Sequence, residues 1–194
     1  MDSDEYDGLL DSGAPWEQSP IRILCFGSRF QGDDGFGGAV YDELRSQPLP
    51  QGVTVFDAGI CSVGSALLLE GCRHAVVVDS VRGMGTPGQL FRLVPEALPA
   101  HASAYSSHAL GLNHLFETLP ISLGKDAVPT IEIIGAEVGR IQPFSQTLSP
   151  EVAGAVKPAA ALVRRACSLA SSKIVTGHGG DTTHGATTTA VTRL

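Results

Sequence analysis

Five polar side chains in this sequence stand where they could do chemistry together, at the ends of strand patterns or the start of a helix pattern. They are Asp33, Asp34, Asp57, Asp79 and His108. In open α/β sheets, ligands bind beyond the carboxyl ends of the strands, so two or three carboxylates and one imidazole could converge on one rim. Oxygen and nitrogen ligands without a thiolate suit borderline divalent ions such as Ni²⁺, Zn²⁺ or Mn²⁺. Three protein ligands would leave coordination positions open for a substrate.

Each of these residues also has a purely structural interpretation. Asp34 precedes the letters GFGG and could simply cap the helix that follows. Asp79 ends an apolar strand, and its carboxylate could form a hydrogen bond with a loop. His108 could be a helix-capping residue. If it is a ligand, the positive end of the helix dipole would favour the neutral imidazole, which is the form that binds metal.

The glycine-rich stretch QGDDGFGGAV does not match a phosphate-binding loop. The Walker pattern needs Lys followed by Ser or Thr after its last glycine, where Ala39 and Val40 stand. The dinucleotide pattern needs glycine at the position of Arg29. Two carboxylates at a helix start would also repel a phosphate. Ser62 and Ser65 lack the nucleophile-elbow pattern of a serine hydrolase.

Strand and helix patterns alternate around the polar residues. Strands are predicted at 21–27, 53–59, 74–80, 88–94 and 129–138, and helices at 36–44, 64–72, 106–119 and 148–170. The last helix has Ser149 as its N-cap and Pro150 at its first position, and Pro158 should kink or divide it. Several strands are continuously apolar, which is typical of strands covered by helices on both faces. We therefore predict a three-layer α/β/α sandwich with a mostly parallel twisted sheet of about five strands.

Composition places these elements in one domain between two tails. The chain has 194 residues, 43% of them hydrophobic, and a formal net charge of −7. We predict an acidic disordered leader at 1–20, the folded domain at 21–171 and a flexible Gly- and Thr-rich tail at 172–194. The near-neutral domain lacks the basic stripe of a nucleic-acid binder, and its apolar runs are too short to span a membrane. Scattered cysteines without a CxxC pair indicate a reducing, cytoplasmic compartment.

Several short motifs, taken in order, make the chain resemble the hydrogenase maturation endopeptidases. The motifs are GDDGFGGAV, VFDAG, VVVDSVRGMGTPG, SSHALGLNHL and LSPEV, spread over residues 21–170. By motif, the resemblance implies that Asp34, Asp79 and His108 are the metal-binding and catalytic residues. It also implies supporting positions behind them for Asp33, which could orient Asp34, and for Asp57.

The resemblance implies a specific reaction. Members of the family remove a C-terminal extension from the large-subunit precursor of a [NiFe]-hydrogenase after nickel has been inserted. Nickel is then supplied by the substrate as the recognition signal, rather than held tightly by the protease, and the precursor is the expected partner. Two alternatives stay open: a non-cleaving hydrogenase assembly factor on the same fold, and a metal-dependent hydrolase of small substrates.

One departure from the family pattern stands directly before the paired aspartates. The family usually has G-x-G-N after the first strand, whereas this chain reads GSRFQGDD. Gly27 is kept, but Arg29 and Phe30 occupy the Gly-Asn positions. Because that Asn is expected to shape the loop that carries the acid, the replacement bears on how the substrate is recognised.

Overall fold

A computed structural model of the chain describes residues 18–60, 64–98, 109–176 and 191–194. Within these residues the strands are β1 (Ile21–Phe26), β2 (Val53–Gly59), β3 (His74–Val81), β4 (Leu90–Leu93), β5 (Thr130–Glu137) and β6 (Val191–Arg193). They form one sheet in the order β2-β1-β3-β5-β4-β6. The first four in this order pair in parallel, whereas β4 runs antiparallel to both β5 and β6. The carboxyl ends of β2, β1, β3 and β5 therefore meet at one edge.

Helices cover both faces of this sheet. They are α1 (Phe36–Arg45), α2 (Ala109–Ser122) and α3 (Pro150–Thr176), with 3₁₀ turns at Asp33–Gly35, Gly64–Leu69, Pro95–Ala97 and Lys125–Ala127. One apolar cluster joins α1 and α3 to the sheet, and a second joins α2 and the turn at Gly64–Leu69 to the other face. The predicted three-layer α/β/α sandwich with a mostly parallel sheet is confirmed. None of the described helices is long and apolar enough to cross a membrane.

The continuous apolar run of β1 is explained by its central position. Ile23 and Cys25 pack in the cluster beneath α1 and α3, while the alternate residues Leu24 and Phe26 pack beneath α2. All four side chains are buried. Each fully buried aliphatic or aromatic side chain contributes about 1.5–3 kcal/mol to stability, so both faces must be apolar.

The structure corrects four details of the predicted elements. The predicted helix at 64–72 is a 3₁₀ helix, Gly64–Leu69. Pro158 lies inside α3 without dividing it, because the helix runs on as one element from Pro150 to Thr176. The sheet has six described strands, where about five were predicted, because Val191–Arg193 adds an edge strand next to β4. The predicted tail at 172–194 therefore contributes the last turn of α3 and an edge strand, whereas 177–190 lies outside the described residues, as does most of the predicted leader.

Close backbone contact between α1 and β1 fixes the position of the loop between them. A Cβ atom at Gly37 would lie 1.9 Å from the carbonyl oxygen of Phe26, so only glycine allows this approach. At Gly27, where φ is +130°, a Cβ atom would lie 2.0 Å from the carbonyl oxygen of Asp34. The start of α1 is thus pressed against the end of β1, with the two aspartates between them.

Gly37→Ala should destabilise the fold, whereas Gly154→Ala should not. Gly37 has no room for a methyl group, so α1 must move away from β1, at a cost of about 1–3 kcal/mol. Gly154 lies inside α3, and a Cβ atom added there would meet nothing within 4 Å, so alanine should stabilise by up to about 1 kcal/mol through helix propensity. Urea denaturation of both variants measures the difference, and equal free energies of unfolding would contradict the close-contact account.

Candidate active site

Asp34 is a buried carboxylate in the connection between β1 and α1, with 2% of its surface exposed. Its Oδ2 accepts a hydrogen bond from the backbone N–H of Ser28 at 2.9 Å, and its Oδ1 accepts one from the Ser80 hydroxyl at 3.1 Å. In the described structure the N-cap residue of α1 is Gly35, and no side chain caps this helix. The helix-capping interpretation of Asp34 is therefore wrong; its carboxylate joins the β1 loop to β3.

Asp79 lies at the same edge of the sheet as Asp34. The registered pairing of β1 with β3 ends at Cys25 and Val78, so Asp79 is the first residue of β3 beyond that pairing. Its buried Oδ1 accepts a hydrogen bond from the backbone N–H of Ser80 at 2.7 Å. Ser80 thus contacts both carboxylates, Asp79 through its N–H and Asp34 through its hydroxyl. The structure brings these two predicted site residues together.

The third predicted ligand, His108, lies outside the described residues. The first described residue of α2 is Ala109, so only the following helix is seen. Among the described residues, no group of three or more His, Cys, Asp and Glu side chains could hold a metal ion. Asp34 and Asp79 supply oxygen donors of the kind that borderline and hard divalent ions accept. The three-residue ligand set stays a prediction.

Asp33, next to Asp34 in sequence, holds a different part of the molecule. Its side chain is fully buried and accepts hydrogen bonds from the backbone N–H groups of Gly139, Arg140 and Ser149, at 2.6–3.0 Å. The Ser149 hydroxyl donates a fourth bond, at 3.0 Å. Asp33 therefore fastens the segment 139–149 and the start of α3 to the loop after β1. A further role in orienting Asp34 stays a prediction.

Glu137 also belongs to this edge and, like the Ser80 described above, was not predicted from the sequence. Glu137 ends β5, is 4% exposed, and accepts hydrogen bonds from the backbone N–H groups of Gly83, Met84 and Gly85 at 2.7–3.1 Å. It thereby shapes the loop that follows β3. The signal was present, because a carboxylate that ends a buried strand must find donors, which is the argument that singled out Asp79.

Asp57, at the end of β2, is engaged by Arg29. Its Oδ2 accepts hydrogen bonds from Nε and Nη2 of Arg29, at 3.1 and 2.9 Å. The same guanidinium binds both carboxylate oxygens of Asp42 on α1. The hydrogen bonds to Asp42 raise the pKa of Arg29, which stays charged. The supporting role predicted for Asp57 stays a prediction. Asp57 binds Arg29, and the neighbouring residue Ser28 donates to Asp34.

Two exposed aromatic side chains flank the buried carboxylates. Phe30 is 60% exposed in the loop after β1, and Phe144 is 96% exposed in the segment fastened by Asp33. Their neighbours Gln31 and Ser145 form a parallel bridge, so the two aromatic residues precede paired positions. Phe144 has φ of 61°, the left-handed region, which costs a bulky residue about 1–3 kcal/mol. Because the Phe144 side chain is almost fully exposed, packing against the described residues does not offset the cost of this backbone conformation.

One groove among the described residues lies away from the buried carboxylates. A groove of about 610 Å³ lies between β4, α3 and the C-terminal Leu194, and none of the carboxylates described above lines it. Its walls include the apolar residues Leu90, Ala155 and Leu162 and the polar residues Gln89, Glu151 and Arg165. This groove is therefore separate from the rim that carries Asp34 and Asp79.

Comparison with known proteins decides the family. The model of the hydrogenase maturation protease family, HycI, matches residues 39–166, more than half of the chain. This chain belongs to the hydrogenase maturation protease family. The resemblance drawn from the ordered motifs is thereby confirmed.

Solved structures of maturation proteases share the fold. Hydrogenase maturating endopeptidase HybD from E. coli superposes with a TM-score of 0.69 at 23% identity, over 77% of this chain and 93% of that chain. Hydrogenase 2 maturation peptidase from a Thaumarchaeota archaeon has a TM-score of 0.58 at 30% identity, over 77% of this chain and 98% of that chain.

A curated relative extends the comparison to sequence. Hydrogenase expression/formation protein HupD from Rhodobacter capsulatus is 26% identical over 139 residues, which is 70% of this chain and 65% of that protein. A match to an archaeal relative from Methanocaldococcus jannaschii covers 55% of that protein. The chain thus spans less than two thirds of the length of the curated relatives that it matches.

Asp33→Ala should strongly destabilise the protein. The change leaves three backbone N–H groups and one hydroxyl, all in partly buried hydrogen bonds, without their acceptor, and we expect the free energy of unfolding to fall by about 3 kcal/mol. Asp126→Ala, in the exposed turn Lys125–Ala127, is the control and should change it by less than about 0.5 kcal/mol. Guanidinium denaturation measures both; an Asp33→Ala protein as stable as the control would contradict the assigned role.

Proposed function

We propose that this chain is an endopeptidase that removes the C-terminal extension of a [NiFe]-hydrogenase large-subunit precursor after nickel insertion. Family membership supports the class of reaction. The observation that carries the proposal for this chain is the pair of buried carboxylates, Asp34 and Asp79, joined by Ser80 at the carboxyl edge of the sheet. That edge is where open α/β folds act on their ligands.

The donor atoms suit a metal that arrives with the substrate. Nickel, already held by the precursor, supplies a Lewis acid that polarises the scissile carbonyl or activates a water. Asp34 and Asp79 offer oxygen donors to it, and His108 adds the nitrogen donor that the motif implies. A weak, open set of oxygen and nitrogen ligands allows the product to leave with its nickel. Ser80 and the N–H of Ser28 hold the Asp34 carboxylate in place while the metal is engaged.

The exposed aromatic residues favour a protein substrate over a small one. Phe30 and Phe144 stand on the loops that carry and support the buried carboxylates, and a large exposed aromatic side chain is a typical anchor at protein interfaces. A hydrolase of small molecules would gain nothing from a strained, exposed Phe144. We therefore assign both side chains to contact with the precursor.

Asp34→Asn and Asp79→Asn should abolish processing while the protein remains folded. Replacing a carboxylate by an amide keeps the size but removes the charged donor, and we expect the rate to fall by about 100-fold or more. His108→Ala should do the same, and Asp126→Asn is the matched surface control. The assay measures the mass of a purified nickel-loaded precursor after incubation with each variant.

The same assay separates the proposed function from its alternatives. Loss of the extension from nickel-loaded but not nickel-free precursor supports the proposal. Binding of the precursor without loss of mass would favour a non-cleaving assembly factor. Indifference to the precursor in either form would favour a hydrolase of small substrates. Full activity of any one of the three ligand variants would refute the assignment of that residue.

Phe144→Asn should weaken binding of the precursor without harming the fold. Asparagine tolerates the left-handed backbone conformation better than phenylalanine, so the melting temperature should stay the same or rise. Loss of the aromatic anchor should raise KM about 10-fold and leave kcat nearly unchanged. Leu169→Asn, a half-exposed residue on α3, is the control. An unchanged KM for Phe144→Asn would contradict the assigned contact.

A further inference from the structure

We propose that Arg29 is a positioning residue for Asp34, because its guanidinium fastens the loop that donates the Ser28 N–H to the Asp34 carboxylate. The consequence for cleavage rests on the proposed function of Asp34, whereas the hydrogen-bond geometry does not. Arg29, together with Phe30, stands where the resemblance to the family implies Gly-Asn.

The Arg29 side chain joins three elements. Nη1 and Nη2 donate to the two carboxylate oxygens of Asp42 on α1, at 2.7 and 3.1 Å. Nε and Nη2 donate to Oδ2 of Asp57 on β2, at 3.1 and 2.9 Å. Nη2 also donates to the carbonyl oxygen of Gly38, at 2.9 Å. The planar guanidinium is thus fixed in direction by α1 on one side and by β2 on the other.

The residue directly before Arg29 forms a hydrogen bond with Asp34, so holding Arg29 in place also holds that bond. Ser28 directly precedes Arg29, and its N–H donates to Oδ2 of Asp34 at 2.9 Å. The Ser28 carbonyl accepts from the N–H of Gln31 at 3.1 Å, which closes the loop as a turn. Anchoring Arg29 therefore holds the donor of one of the two described hydrogen bonds that set the direction of the Asp34 carboxylate.

Gly38 provides the space that Arg29 requires. A Cβ atom at Gly38 would lie 2.9 Å from both Cζ and Nε of Arg29. Glycine inside a helix costs about 1 kcal/mol relative to alanine, so α1 gives up stability at this position. The packed guanidinium is a physical reason for that glycine, and it offers a way to disturb Arg29 without replacing it.

Magnitudes favour a positioning role over a stabilising one. The side chains of Arg29, Asp42 and Asp57 are 39%, 61% and 34% exposed. Ion pairs this accessible to water contribute about 0–1 kcal/mol to stability. A bidentate pair that adds little stability can still fix geometry, and loss of an outer partner of a metal-binding group typically costs about 10–100-fold in affinity or activity. We therefore expect replacement of Arg29 to lower the rate of cleavage and to leave the melting temperature nearly unchanged.

The test compares Arg29→Gln, Arg29→Lys and Gly38→Ala with the control Arg45→Gln. Arg45 lies on α1, as Gly38 does. It is exposed, and among its described hydrogen bonds it donates only to the Tyr41 hydroxyl. Hydrogen exchange of the Ser28 amide, followed by NMR, reports the hydrogen bond to Asp34, and kcat and KM are measured with nickel-loaded precursor. Arg29→Gln should accelerate Ser28 exchange and lower kcat about 10-fold, with little change in KM.

The other variants sharpen the prediction. Lysine keeps the charge but not the fork of donors, so Arg29→Lys should restore activity only in part. Gly38→Ala should lower kcat while Arg29 is present and have no further effect in the Arg29→Gln background. Unchanged Ser28 exchange in Arg29→Gln and Gly38→Ala would overturn the proposal. Faster exchange with unchanged kcat would overturn the positioning role, and a wild-type protein that exchanges normally but cuts no precursor would refute the proposed function instead.

Discussion

A buried carboxylate must be paired with hydrogen-bond donors, and this constraint organises the whole carboxyl edge of the sheet. Asp33 takes its donors from the segment 139–149, Asp34 from the loop after β1 and from β3, and Glu137 from the loop after β3. These loops have no regular secondary structure, and in each of them at least one backbone N–H group donates a hydrogen bond to a buried carboxylate at this edge of the sheet. The cost of leaving such a charge unpaired in the interior is several kcal/mol, which is enough to select the loop conformations.

The carboxylates at this edge have different tasks. Asp33 and Glu137 accept three or four hydrogen bonds from loop N–H groups and so act as structural fasteners. Asp34 and Asp79 are instead linked through Ser80, and the exposed aromatic residues lie on the surrounding loops. Adjacent aspartates in the sequence thus serve separate tasks, because successive residues of a tight turn face different neighbours.

Strand and helix patterns predicted the layers well, because apolar burial on both faces of a parallel sheet leaves a strong mark on the sequence. β1, β3 and β5 were predicted within one or two residues at each end. The edge strand Val191–Arg193 was missed because all three residues are exposed, so hydrophobicity gives no signal. The last helix was predicted, and of the two effects expected of Pro158, a kink or a division, the division does not occur.

Residue type and topology predicted that Asp34 and Asp79 lie at one edge of the sheet, as they do, but did not assign their hydrogen-bond partners. The pairing of Asp33 with Ser149 spans more than a hundred residues, and no local pattern encodes it. Arg29 stood out only as a departure from the family motif, and its contacts with α1 and β2 became visible in three dimensions. Partner choice depends on how distant loops meet, which a single sequence does not specify.

The central claim is that the carboxylates at this edge engage nickel carried by a hydrogenase precursor. X-ray absorption at the nickel edge tests it most directly, on a nickel-loaded precursor before and after addition of a slowly cleaving Arg29→Gln protein. We predict that the nickel gains light oxygen or nitrogen neighbours at about 2.0–2.2 Å, and that Asp34→Asn combined with Asp79→Asn removes this gain. An unchanged nickel spectrum in a complex whose binding is shown independently would contradict the claim.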